Sequence, residues 1–558
     1  MSAALPPESE IEALIARARL SEGTRPCLDR LRFPTFAELI DARAQAGAKP
    51  FLIYYDEAGT RSALSHGEFA ARVAARARTL AESAGVTRGD RVATLMHNHP
   101  EAPITCFAAW RLGATVVPIN MGEDDARIEF VLENSGTKAV VLLPEYAARA
   151  RSLGAGRDRR SWLDLGALRE GTGSFEALER LPRPRPEDDA LIVYTSGTTG
   201  PPKGVVLSQC NLLVDAEGIA GWHGLGEGSR LGCVLPIHHV NGLVVTLVTP
   251  FVVGASVVLW RRFRTHDFWP VVASEGVEIV SVVPTLLAFL LEDAEGARRA
   301  DLRCLRHLIC GAGPLTVDLA RRFEERFARR IVHGYGLSET TCYSCFLPLD
   351  LSAEEHAHWM RDFGFPSIGV PIPPNEMAIH DGEGRPLGPG ERGEIVIRGV
   401  NVMKGYHARP DANAQSFAFG WFRSGDEGFF ECDAKGRPFF FITGRLKELI
   451  IRGGVNLSPF EIDEVLSRIP GVARGLAVGF ENDWYGEEVG AYVKLEPGVP
   501  LDEHAILEAC RQKLPFAKAP KVVVFGEEIP VTSTGKYQRG RLRHLFADHK
   551  STQFRDGR

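Results

Sequence analysis

The run LIVYT at 191–195 leads straight into Ser196-Gly197-Thr198-Thr199-Gly200-Pro201-Pro202-Lys203-Gly204. Hydroxyls, glycines and a lysine crowded after a buried strand suit phosphate oxygens, which backbone N–H groups and side-chain O–H groups can surround while the ammonium supplies charge. The loop is not of the GxxxxGK(S/T) type, because only two residues stand between Gly200 and Lys203 and Gly204 follows. An ordinary Gly/Ser/Thr turn is the bland alternative. A second candidate lies near the C-terminus, where Ser533-Thr534-Gly535-Lys536 forms a turn able to project a long cation. The adjacent pair His238-His239 lacks the further Cys or Asp that would complete a metal set, and neighbouring residues of a strand point apart. Cys342-Tyr343-Ser344-Cys345 likewise lacks a second pair at zinc spacing.

The elements around these residues alternate. A helical pattern over 69–80 precedes strand RVATLM at 91–96, then a helix over 101–112, a strand at 114–118, a helix over 125–134 and a strand at 138–143. That rhythm predicts an α/β fold with a parallel, layered sheet. Residues 151–187, rich in Gly, Pro and Arg, read as a loop region. A second α/β stretch runs from 190 to about 346. Beyond it come GEIVIRG at 393–399, a hairpin over 427–441 turning at Asp433-Ala434-Lys435-Gly436, and a compact α+β unit after Gly444. In that last unit strands fall at 473–480 and 488–495 and helices at 459–468 and 503–513. Residues 242–260 are uncharged and long enough to span a bilayer, but Pro250 and Gly254 divide them into a buried helix and a strand.

Composition narrows the class. With 558 residues, 44% of them hydrophobic, the chain can bury substantial cores, and 65 Lys+Arg against 71 Asp+Glu give a formal charge of −6 without a basic block. Nucleic-acid binding is therefore not expected. Ten scattered cysteines, among them Cys106, Cys233 and Cys310 in apolar surroundings, suit a reduced cytoplasm. The first twenty residues hold Glu8, Glu10, Glu12, Arg17 and Arg19 and lack an apolar core, so they read as a surface helix on Ile11, Leu14, Ile15 and Ala18.

YTSGTTGPPKG at 194–204 resembles the signature of the adenylate-forming superfamily of acyl-CoA synthetases, luciferases and peptide-synthetase adenylation domains. Further matches follow in the same order: PIHHVNG at 236–242, CGAGP at 310–314, HGYGLSETT at 333–341, GWFRSGDEG at 420–428, ITGRLKELIIRGGVNLSPFEID at 442–463 and PVTSTGKYQRGRL at 530–542. The resemblance implies a large N-terminal domain over 1–443 and a small mobile C-terminal domain over 444–558. It implies ATP, Mg²⁺ and coenzyme A as reactants or cofactors. Lys536 would bridge carboxylate and α-phosphate, Glu339 and Thr195 would meet Mg²⁺, and Ser338 would lie beside the α-phosphate. Ser196, Gly197, Thr198, Thr199, Gly200 and Lys203 would hold phosphates. Tyr335 and Gly336, with Gly311, Ala312 and Gly313, would flank adenine, Asp426 and Arg445 would take the ribose, and Asn456 would make a lesser contact. Lys447 matches the hinge, His239 a guard between acyl pocket and thiol tunnel, and Gly453 with Gly454 the backbone along which pantetheine runs.

The expected reaction is ATP-dependent acid–CoA ligation through acyl-AMP. Loading of a carrier protein, a luciferase-like oxygenation and a non-catalytic nucleotide sensor are the alternatives. No carboxylate stands near 236–242 to meet an α-ammonium, so a non-amino acid is expected, in an apolar pocket formed by Val240, Leu243, Cys342 and Tyr343.

Overall fold

The computed structural model describes residues 5–20, 31–155, 159–168, 181–195, 202–292, 296–297, 300–373, 375–531 and 537–555. Two large sheets dominate. One runs Gly405–Tyr406, Lys203–Ser208, Asp189–Thr195, Thr115–Ile119, Arg91–Leu95, Ala139–Leu142, Ser161–Asp164. The other runs Val370–Pro371, Cys345–Phe346, Arg330–Tyr335, His307–Cys310, Ile279–Val282, Arg230–Cys233, Ser256–Trp260, Pro50–Tyr55, Arg61–Ser65.

Their central strands are parallel, as the alternation predicts, and runs such as AVVL and SVVLW are buried along their whole length. Helices cover such strands on both faces, so each buried Val, Ile or Leu contributes roughly 1.5–3 kcal/mol. Antiparallel pairs stand beside these parallel strands, outside the stretch 67–143. Lys203–Ser208 pairs antiparallel with Asp189–Thr195, and Arg61–Ser65 antiparallel with Pro50–Tyr55. The expected loop region 151–187 also holds a strand, Ser161–Asp164, parallel to Ala139–Leu142.

Local signals set the helix ends. Ser65 and Glu68 form a capping box before His66–Ala84, which stops at Gly85 in the left-handed conformation. Ser208 and Asn211 do the same for Gln209–His223, directly after the strand that starts at Lys203. Residues 241–253 are helical and 256–260 a strand, as expected, with left-handed Gly254 at the break and Pro250 tolerated in the first turn of the helix Thr249–Val253. Among the described residues no helix is long and apolar enough to cross a membrane.

A four-stranded antiparallel sheet (Asn375–His380, Gly393–Gly399, Phe422–Cys432, Pro438–Arg445) joins the larger part. Its aromatic residues, among them Phe429, Phe439 and Phe441, belong to the same hydrophobic core as the two large sheets. A separate core begins at Ile450, built by Val472–Asn482, Gly486–Leu495 and the helices Pro459–Ser467 and Glu503–Arg511. The protein is thus a large N-terminal α/β domain and a smaller C-terminal domain.

Candidate active site

Ligands of open α/β sheets bind beyond the carboxyl ends of the strands, and here the ends of both large sheets meet in one crevice. A cavity of about 520 Å³ lies there. It is lined by His97 and Asn98 after one strand, Leu235 after a second, Arg261 after a third, Val283 after a fourth, and by His238, His239, Asn241 and Ala312. Asn98 clamps the two halves together. Its amide donates to the carbonyls of Leu235 (3.0 Å) and Trp260 (3.1 Å) and accepts from Ile237 N–H (3.0 Å), which fixes the turn carrying His238 and His239. That turn is where a strand was expected. The imidazole rings lie 4.3 Å apart, and burial pushes the His238 pKa down to about 4, so it is neutral at pH 7.

The expected apolar pocket residues sit elsewhere. Val240, Leu243, Cys342 and Tyr343 are buried in the core and line neither cavity, whereas Asn241 reaches the cavity wall. Asn241 is held by Ser281 Oγ (2.7 Å) and donates to Tyr343 Oη (3.2 Å).

A second cavity, about 140 Å³, adjoins the first through Ala312 and is lined by Gly313, Tyr335, Gly336, Asp426 and Arg445. Tyr335 Oη donates to Asp426 Oδ2 at 2.6 Å, and Arg445 Nε forms an ion pair with Asp426 Oδ1 at 2.8 Å. The Asp426 charge raises the Arg445 pKa, and burial with that same charge raises the Tyr335 pKa, so both donors keep their protons. Gly336 is small because of its own loop: a Cβ there would lie 1.8 Å from the Cys342 carbonyl oxygen. Gly311 likewise abuts Tyr343 Oη, at 2.6 Å from an added Cβ.

Glu339 stands in a single turn, Ser338–Thr340, after strand Arg330–Tyr335. Tyr406 Oη donates to Glu339 Oε1 at 2.8 Å, and the Lys203 ammonium lies 4.7 Å over the Tyr406 ring. Burial lowers the Lys203 pKa, and nearby Lys447 lowers it further. Thr195 Oγ1 donates to the Lys203 carbonyl at 3.4 Å across the hairpin. Met403 N–H binds the Glu339 carbonyl (2.8 Å) and Lys404 N–H the Val206 carbonyl (2.9 Å), so segment 403–404 ties the Glu339 turn to the strand starting at Lys203. Ser196, Gly197, Thr198, Thr199, Gly200 and Lys536 lie outside the described residues.

The C-terminal domain sits over the second cavity. Phe460, Asp463, Glu464, Tyr537 and Arg539 form its outer wall, and Glu464 accepts from Val317 N–H at 2.8 Å across the domains. Val531 lines the first cavity and Tyr537 the second, so the positions on either side of 532–536 face the two cavities. Gly453, Gly454 and Asn456 are not brought there. They sit on an exposed hairpin, with Gly453 N–H bonded to the Tyr485 carbonyl at 2.8 Å. Lys447 is exposed in the turn between the last strand of the four-stranded sheet and the C-terminal core. Sequence reasoning missed Asn98, Asn241 and Tyr406. The first two stand next to flagged positions, in HNHPE after a strand and in PIHHVNG, while only spatial proximity marks Tyr406.

Residues 40–407 match the family described as AMP-binding enzyme, and residues 461–536 match the AMP-binding enzyme C-terminal domain. A sulfoacetate–CoA ligase from Cupriavidus necator is 36% identical over 517 residues, 91% of this chain and 97% of that protein. A feruloyl-CoA synthase from Amycolatopsis is 34% identical over 488 residues, 87% of this chain and 94% of that protein. The crystal structure of ATP-bound MatB from Rhodopseudomonas palustris superposes with a TM-score of 0.80 at 26% identity, covering 92% of this chain and all of that one. The chain therefore belongs to the AMP-binding enzyme family of adenylate-forming enzymes, and within it is an AMP-forming acid–thiol ligase of the acyl-CoA synthetase kind.

Proposed function

We propose that the chain couples a non-amino carboxylic acid to coenzyme A in two half-reactions at one site. The observation that carries this reading is the shared wall: Ala312 lines both cavities, so a nucleotide held at Asp426 would meet an acid lying beside His239.

In the first half-reaction a carboxylate oxygen attacks the α-phosphorus of ATP and pyrophosphate leaves. Both reactants are anions, so the site must neutralise charge and align the attack. Lys536, which precedes Tyr537 in the wall of the second cavity, bridges carboxylate and α-phosphate in this reading. Asp426 and Arg445 take the ribose, Tyr335 flanks adenine, Ser338 lies beside the α-phosphate, and the 195–204 loop holds the outer phosphates. Glu339 and Thr195 offer one carboxylate and one hydroxyl, a donor set that fits Mg²⁺, which takes few protein oxygens and keeps phosphate oxygens and water. When bound, Mg²⁺ supplies positive charge to the phosphates.

In the second half-reaction the thiol sulfur attacks the acyl carbonyl carbon and AMP departs. The exposed hairpin bearing Gly453 and Gly454 has to move to reach the crevice, and the turn between the two hydrophobic cores supports Lys447 as its hinge and a domain boundary at 443/444. Asn456 then makes a lesser contact. Relatives named for sulfoacetate and ferulate support an acid without an α-ammonium. The test is pyrophosphate release across a panel of carboxylic and amino acids. Release with an amino acid and with no carboxylic acid would overturn the reading.

A further inference from the structure

We propose that Asp215, acting through Asn401, is a positioning residue for the first half-reaction, because it clamps the strained turn that aims Ser338 and Glu339. The inference rests on the reading of Glu339 given above.

Thr341 has φ 66° and ψ −60°, a conformation a β-branched residue rarely holds. Cys342 N–H donates to the Thr340 carbonyl at 2.8 Å, which makes Thr341 the centre of a γ-turn of the uncommon positive-φ kind. Such a turn persists only where its surroundings over-determine it. It lies two residues after Glu339, so its relaxation would re-aim the carboxylate.

The surroundings trace to helix Gln209–His223. Asp215 is fully buried, and its Oδ1 accepts from Asn401 Nδ2 at 2.9 Å while Oδ2 accepts from Tyr343 N–H at 3.4 Å. The same Asn401 amide donates to the Thr340 carbonyl at 3.1 Å, and the Asn401 carbonyl accepts from Thr341 Oγ1 at 2.6 Å. The turn is thus held on both sides of its strained residue. One helical turn earlier, Asn211 Nδ2 binds the carbonyls of Val400 (2.6 Å) and Val402 (3.1 Å), so the helix also fixes the segment that carries Asn401. This helix starts where the strand from Lys203 ends, so it mechanically joins the phosphate loop to the Glu339 turn. None of these contacts reaches either cavity wall, so Asp215 acts through the turn.

The experiment compares the full-length D215A, D215N, T341G and D215A/T341G variants. Acyl-AMP formation is measured as a function of Mg²⁺, and conversion of supplied acyl-AMP to thioester is measured separately. D215A should lower acyl-AMP formation about tenfold and raise the Mg²⁺ needed for half-maximal rate, with the thioester step within about twofold. D215N keeps an acceptor for Asn401 and should stay within about threefold of wild type. Glycine relieves the turn, so T341G should recover most of the D215A loss in the double variant. Equal losses in both half-reactions, or no gain from T341G in a folded D215A background, would overturn the proposal. If D215A does not fold, D215N/T341G performing worse than D215N alone would overturn it. An E339Q arm separates the two readings: unaltered Mg²⁺ dependence in E339Q defeats the reading of Glu339 itself, whereas altered dependence there without a D215A effect defeats only the role of Asp215.

Discussion

The phenol of Tyr335 donates to Asp426 Oδ2 at 2.6 Å, and both side chains are buried where the strand Arg330–Tyr335 meets the antiparallel sheet. Asp426 is thereby aimed from a separate element of the fold, and Arg445 Nε completes the clamp at 2.8 Å. Tyr335→Phe removes the donor and leaves a buried carboxylate oxygen short of one hydrogen bond. A bond to a charged group is worth about 1.5–3 kcal/mol, so KM for ATP should rise about tenfold or more, with kcat changed less. Steady-state pyrophosphate release checks this, and unchanged KM would refute the clamp.

Asn98→Ala strips partners from Ile237 N–H and from the Leu235 and Trp260 carbonyls at once. Buried groups left unpaired cost about 1–3 kcal/mol each, so a clear fall in Tm is expected. The turn bearing His239 loosens with it. Conversion of supplied acyl-AMP to acyl-CoA should fall more than acyl-AMP formation, as single-turnover assays of each step would report.

If Lys536 bridges the carboxylate and α-phosphate as proposed, Lys536→Ala should lower acyl-AMP formation on the order of 10²–10³-fold and spare the thioester step, in which that cation has no part. With Lys447 as the proposed hinge, Lys447→Pro should do the reverse, since a fixed φ would block rotation there. Equal effects of either variant on both steps would contradict the division of labour.

Burial pushes the Asp215 pKa up to about 8, with the Asn401 amide and the Tyr343 N–H opposing that rise and the Cys342 thiol nearby. An unfolded aspartate titrates near about 3.9, so between these values the native state binds the extra proton and stability falls as pH rises. Chemical denaturation of the wild type and Asp215→Asn from pH 5 to 9 should show a shallower decline in the variant. Parallel curves would contradict this.

Much of this arrangement was readable from residue order. The alternation from 66 to 142 yields the parallel strands because helix and strand periods differ and each segment keeps one, and Ser65 or Ser208 marks a helix start by its own hydrogen bond. The antiparallel pairs were not readable, since a partner such as Lys203–Ser208 carries the same buried β-branched pattern as a parallel one. The site divides similarly. Asp426 and Arg445 announce themselves in motifs, but Asn98, Asn401 and Asp215 work through partners 60 or more residues away, which no local pattern encodes. Cys342 and Tyr343 look like pocket lining by position, yet the γ-turn at Thr341 carries them into the core.

In the proposed reaction one site makes an acyl adenylate and passes the acyl group to free coenzyme A. The deciding measurement is mass detection of acyl-CoA from acid, ATP, Mg²⁺ and coenzyme A, with a parallel reaction lacking coenzyme A. Acyl-CoA and AMP are expected in the complete mixture, and enzyme-held acyl-AMP when coenzyme A is withheld. Pyrophosphate release without acyl-CoA for every acid that supports it would rule out free coenzyme A as the acceptor.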